Sequence, residues 1–155
     1  MWTYSNRVLI TAYVQANIAF PNLTILLVHA PEKNVVTSVR LQIPSLYIDV
    51  HVESVGVTTI GAMDVPQSIE NVAWFNLGAV PGEIGSAVIG GHYGWKDQKA
   101  SVFDNLKQIQ IGNLMHVTLA NGTVVTFKVQ EIKTYAWITD ARDIFISDDG
   151  RSHLS

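Results

Sequence analysis

The chain reads as a mostly β protein, a small closed barrel with one or two short helices. Three observations carry that reading. Short runs alternate apolar and polar residues with period two, Gly and Pro punctuate them at close intervals, and Asn121-Gly122 sits between two such runs as a hairpin turn. Strands of this kind with few helices build barrels or sandwiches. At 155 residues one domain is expected. With 48% hydrophobic and 15% charged residues, the chain has the apolar content for a core and is not a solvating, disordered sequence. A net charge of −3 and the lack of Lys/Arg runs argue against nucleic acid as a partner. Zero cysteines exclude disulfides, thiolate metal sites and a thiol nucleophile within these residues.

The elements follow in order. Residues 1–38 form a distinct apolar segment and linker: Arg7 precedes Val8–Val28, which carries no charged side chain, and Pro31–Ser38 is polar. A charge-free stretch of this length can cross a bilayer, and Arg7 would then face the cytoplasm. Gln15, Asn17, Pro21, Asn22 and Thr24 oppose that, and the other reading is a segment packed on the domain. The domain proper, residues 39–155, opens with Val39–Ile43 and Leu46–Val52, two alternating runs broken at Pro44-Ser45. Asn71–Phe75 is a short apolar element, and Ala87–Gly91 a buried strand. Val102, Phe103, Leu106 and Ile109 fall on one face of a brief helix that Ser101 would cap. Leu114–Leu119 and Val124–Tyr135 are the arms of the hairpin. Thr139–Gly150 is a polar loop, and Leu154-Ser155 enters a further strand.

The segment richest in chemical meaning is Pro81-Gly82-Glu83-Ile84-Gly85-Ser86-Ala87-Val88-Ile89-Gly90-Gly91-His92. Turn formers lead into a short apolar strand, then two glycines, then a histidine. Glycine at a strand end lets another group approach closely, and an imidazole there is suited to proton transfer near neutral pH.

These residues, in this order, resemble the sortases, cysteine transpeptidases of bacterial cell surfaces. The resemblance runs through Arg40–Asp49, Gly61–Pro66, Val72–Phe75, Pro81–Gly85, Gly91-His92, Val102–Leu106 and Gly112–Val117, in tone nearest the single-domain D, E and F classes. It implies a sortase-like closed β-barrel, lacking its last strands here. It also implies an enzyme of the outer face of the bacterial cell membrane. The partners would be an LPXTG-like sorting-signal peptide and an amine acceptor of the cell wall or a pilin; no cofactor is implied. The family uses a cysteine nucleophile, a histidine acid and an oxyanion arginine. Only the histidine maps onto this sequence, as His92. The cysteine and arginine would follow Ser155, since Arg142 and Arg151 stand too early to match. The chain is therefore expected to be inactive by itself. The alternative is a non-catalytic peptide-binding module of the same fold.

Gly91, Trp95 and Trp137 are candidate lining of the peptide groove. His51 and His116 alternate with apolar neighbours as ordinary strand positions, and His29 and His153 carry no pattern. No His-x-His or His-x-x-x-His pair supports a metal site. Asp148-Asp149-Gly150 lacks the oxygen spacing of a calcium loop and reads as a solvated turn.

Overall fold

Alternation turns directly into pleat. The computed structural model describes residues 7–13, 38–94, 99–135 and 142–155. Strands β2 (Ser38–Ile43) and β3 (Ile48–Val55) pair antiparallel, Leu41 opposite Val50, around a single 3-10 turn at Pro44–Leu46. Leu41, Ile43, Ile48 and Val52 point inward while Arg40, Asp49 and His51 face solvent, as a half-buried sheet requires. Across the outer face Asp49 accepts hydrogen bonds from Arg40 and from Gln42. The exposed Arg40 cation holds Asp49 below the usual carboxylate range.

The hairpin is formed by β7 (Leu114–Leu119) and β8 (Val124–Tyr135), joined at Asn121-Gly122. Gly122 takes a φ of +83°, a left-handed conformation that suits glycine. Met115, Val117 and Leu119 of one arm and Phe127 and Val129 of the other enter the core. There they meet Leu41, Ile43, Val52, Val72 and Trp74. The buried Trp74 indole donates to the Ala79 carbonyl at 3.1 Å, satisfying its only polar atom.

Among the described residues the strands form one nine-stranded sheet, in the order β5-β9-β1-β8-β7-β2-β3-β4-β6. The remaining members are β1 (Arg7–Tyr13), β4 (Val72–Phe75), β5 (Gly85–Ala87), β6 (Ile89–Gly91) and β9 (Ser152–Leu154). The two ends of this order, β5 and β6, are consecutive in the chain and separated only by Val88. The sheet therefore curls back on itself as a barrel does. Most pairings are antiparallel; β3 with β4 and β5 with β9 are parallel.

Three expectations change. The single strand expected over Ala87–Gly91 is two, β5 and β6, parted at Val88, because the chain passes there from one end of the strand order to the other. Of the apolar N-terminal segment, the described residues Arg7–Tyr13 are a strand inside the sheet, paired with both β8 and β9. The physical reason lies in β8. Its twelve residues outrun β7, which pairs only Val124–Lys128, so Lys128–Tyr135 needs another partner and β1 supplies it. Most of the proposed 8–28 span and of the linker lies outside the described residues. Among the described residues no helix is long and apolar enough to cross a membrane.

The helix expected over Val102–Ile109 is instead a series of turns with one 3-10 turn at Leu106–Gln108. Phe103, Leu106 and Ile109, spaced by three, are all buried, which is the period of a 3-10 turn and not of an α-helix. The expected Ser101 cap is only half made: the Asp104 carboxylate accepts the Ser101 N–H and hydroxyl, at 2.9 and 2.5 Å, while the Asp104 N–H goes to the Ser101 carbonyl and not to its hydroxyl. The polar stretch before β9 holds a further 3-10 turn, Arg142–Phe145, whose Phe145 ring meets Phe75 edge-on at 5.2 Å.

Candidate active site around His92

His92 is the first residue beyond β6, half-buried. Its backbone is fixed from one side, since its carbonyl accepts the Phe103 N–H at 3.1 Å. Its ring is fixed from the other: Nε2 lies 3.2 Å from the carbonyl oxygen of the buried Pro66. A carbonyl only accepts, so the neutral ring carries its proton on Nε2 in this contact. A cleft of about 550 Å³ opens here, walled by the C-terminal half of β3, the 64–67 loop and His92.

Gly91 explains why glycine precedes the histidine. A Cβ there would come within 2.6 Å of the Phe103 ring and 2.9 Å of a Val102 methyl. The close approach that the sequence led us to expect at Gly91 is made by the chain's own Phe103. Trp95 and Trp137, the other proposed groove residues, lie outside the described residues.

Three residues that were assigned no role from the sequence support this site. Glu53 on β3 accepts from the Gln67 N–H at 2.8 Å, the Ser68 N–H at 3.3 Å and the Asn71 side-chain amide at 2.8 Å. The Asn71 contact, then the two backbone donors, hold its carboxyl below the ordinary value of 4.5. Pro66 supplies the acceptor for His92. Asp104 accepts from Gly94 N–H at 2.7 Å and so ties the segment after His92 to the Ser101 cap. Its carboxyl is held low by the Ser101 hydroxyl first and Gly94 second. Ser101 was read only as a cap, without Asp104; the Glu53 contacts cross 14 to 18 residues and left no local signal.

The other described histidines have partners of their own or face solvent. His116 Nδ1 contacts Thr126 Oγ1 across the hairpin at 2.9 Å, and His51 is exposed opposite Arg40. His153, buried on β9, reaches Asp149 Oδ1 at 2.7 Å. Asp149 also accepts from Arg151 N–H and Ser147 Oγ–H, so the Asp148–Gly150 turn is organised around donors of its own chain.

The strand beside the histidine has a direction. β9 runs parallel to β5, with Ser152 opposite Gly85 and Leu154 opposite Ala87. Past Leu154 the pairing continues: Ser155 N–H donates to the Ala87 carbonyl at 2.9 Å and Ile89 N–H to the Ser155 carbonyl at 2.8 Å. The line of β9 is therefore carried towards Ile89–Gly91 and His92.

Comparison with known proteins agrees with this arrangement. No curated protein matches the chain. The fold is similar to that of sortase C1 of Streptococcus agalactiae in its type II crystal structure. The TM-score is 0.59 at 21% identity, over 75% of this chain and 55% of that one. It is also similar to a sortase D5 transpeptidase of Clostridium perfringens, with a TM-score of 0.51 at 18% identity, over 75% of this chain and 73% of that one. The chain thus spans little more than half the length of the sortase C1 structure. The model of the Sortase domain matches residues 41–153, which take in β3, His92, the hairpin and nearly all of β9. With that match over most of its length, the chain belongs to the sortase family.

Proposed function

We propose that this chain is the greater part of a transpeptidase that cuts an LPXTG-like sorting-signal peptide and joins the released acyl group to an amine of the cell wall or a pilin. One observation carries the proposal: His92 is held by both backbone and ring at the mouth of a cleft, on a line that β9 approaches. In this reading a cysteine thiolate attacks the Thr–Gly carbonyl. The C–N bond breaks as His92 protonates the leaving amine, and a thioester remains. The acceptor amine then attacks the thioester, gives up a proton to the now neutral His92, and the thiolate departs as the C–S bond breaks. An arginine donates to the oxyanion in both steps.

The 155 residues contain no cysteine, so the nucleophile and the oxyanion arginine are assigned to residues following Ser155. A strand continuing β9 in register would pass beside Ile89, Gly90 and Gly91 and deliver a side chain next to His92. Ser and Thr hydroxyls lack the acidity of a thiol, and none here is placed by motif beside His92. The expected place of work is the outer surface of a bacterial cell, where such peptides are displayed.

The absence of cysteine favours one second reading, a peptide-binding module without turnover. The test is hydrolysis of a fluorogenic sorting-signal peptide by the 155-residue chain and by the chain with its downstream segment restored. The expected result is silence in the first and turnover in the second. Turnover by the first would place the nucleophile within these residues and overturn the assignment. Silence in both, with peptide binding retained, would establish the binding module.

A further inference from the structure

We propose that Glu53 is the positioning residue of His92, acting through the peptide group between Pro66 and Gln67. The proposal rests on the reading of His92 as the proton donor. Two hydrogen bonds meet in that one peptide. Its C=O, on Pro66, accepts from His92 Nε2 at 3.2 Å; its N–H, on Gln67, donates to Glu53 Oε2 at 2.8 Å. A peptide group is a rigid plane with no internal rotation, so fixing its N–H fixes the direction of its carbonyl. Glu53 therefore sets where the acceptor for His92 lies, although it is one hydrogen bond removed from the ring.

The clamp is more than one contact. Glu53 Oε1 also accepts from Ser68 N–H at 3.3 Å and Asn71 Nδ2 at 2.8 Å, so a single carboxylate gathers the 67–71 loop onto β3. Charge adds to geometry. A carboxylate on the N–H end of a peptide polarises it, drawing negative charge towards the carbonyl oxygen and making it a better acceptor. The chain Glu53 to peptide to His92 thus favours a proton on Nε2 and holds the ring against Pro66. The lowered pKa of Glu53 agrees, since the carboxylate stays ionised throughout the range in which an imidazole exchanges protons.

The test is side-chain nitrogen NMR of His92 in the 155-residue chain, comparing Glu53→Gln with the unaltered protein. Gln keeps the shape but puts an amide donor where Glu53 offers an acceptor. The expected result is that the Nε2 signal moves towards its unprotonated position as the ring becomes a mixture of tautomers. Adding Asn71→Asp to Glu53→Gln lets the new amide donate to a carboxylate again, and the signal should return. Arg40→Gln breaks a surface pair on the same sheet without touching the loop and should leave it in place.

An unchanged Nε2 signal in Glu53→Gln, or an equal movement in Arg40→Gln, overturns the proposal. Should Glu53→Gln fail to fold, Asn71→Ala removes one donor only; a smaller movement of the same sign supports the proposal and none overturns it. In the chain with its downstream segment restored, Glu53→Gln should lower kcat about tenfold with KM unchanged, less than loss of the acid itself. A raised KM at constant kcat would contradict it. The NMR result needs no turnover, so it stands or falls separately from the catalytic role of His92.

Discussion

A methyl group added at Gly91 has nowhere to go. It would meet the Phe103 ring at 2.6 Å, and the displacement would be passed to His92, whose carbonyl is bonded to the Phe103 N–H. Gly91→Ala should cost about 1–3 kcal/mol, the usual range for overpacking, measured by urea unfolding. A neutral result would mean that Phe103 yields freely. Two carboxylates nearby make stability depend on acid. Glu53 and Asp104 both have folded-state values below their ordinary 4.5 and 3.8, held there by donors that unfolding releases. A depressed folded value gives stability that is complete above the unfolded value and lost as pH falls through the folded one. The unfolding midpoint should therefore be flat near neutrality and decline once the pH drops below 4.5; Ser101→Ala should shrink that decline by freeing Asp104. A midpoint that rises on acidification would contradict the assignment. His92 was singled out in the sequence by its Gly-Gly context together with the resemblance around it, while Glu53 was not, because its partners are brought to it only by the parallel pairing of β3 with β4.

Elements with a repeating pattern were readable, and those assembled by their neighbours were not. The β7–β8 hairpin announced itself by alternation on both arms and by Asn121-Gly122. Gly122→Ala should lower stability by roughly 1–2 kcal/mol, the cost of forcing a Cβ into the left-handed region, and an unchanged urea midpoint would count against the observed turn. β5, β6 and β9 have three residues each, too few to show a period. β1 holds the first residues of the Val8–Val28 stretch that was read as a possible span, because charge-free apolar runs serve membranes and sheet strands alike. The pairing with β8 accounts for the described part of it. Ile10 stands opposite Ile132 in the middle of that pairing. Ile10→Pro puts a strand breaker there and should lower unfolding stability by on the order of 1 kcal/mol or more. It should also expose strand edges that associate, seen as higher oligomers in size-exclusion chromatography. A monomer of full stability would show that β1 contributes nothing to the sheet.

For the molecule as a whole, curling of the sheet is what brings the chemistry together. β5 and β6 are neighbours in the chain yet occupy opposite ends of the strand order, and β9 runs beside β5 until Ser155, just past it, bonds Ile89 at the start of the strand that leads to His92. The barrel class could be read from composition and punctuation, since these report how many short strands must share one core. The order of strands could not, because parallel pairings such as β5 with β9 join segments far apart in the sequence. The same geometry makes His92 the point on which the proposed transpeptidation depends. The decisive measurement is turnover of a fluorogenic sorting-signal peptide by the chain with its downstream segment restored, comparing His92→Ala with the unaltered protein at equal stability. Loss of a positioned proton donor should lower kcat by about 10²–10⁴-fold with little change in KM. Turnover within a few-fold of the unaltered protein would contradict it.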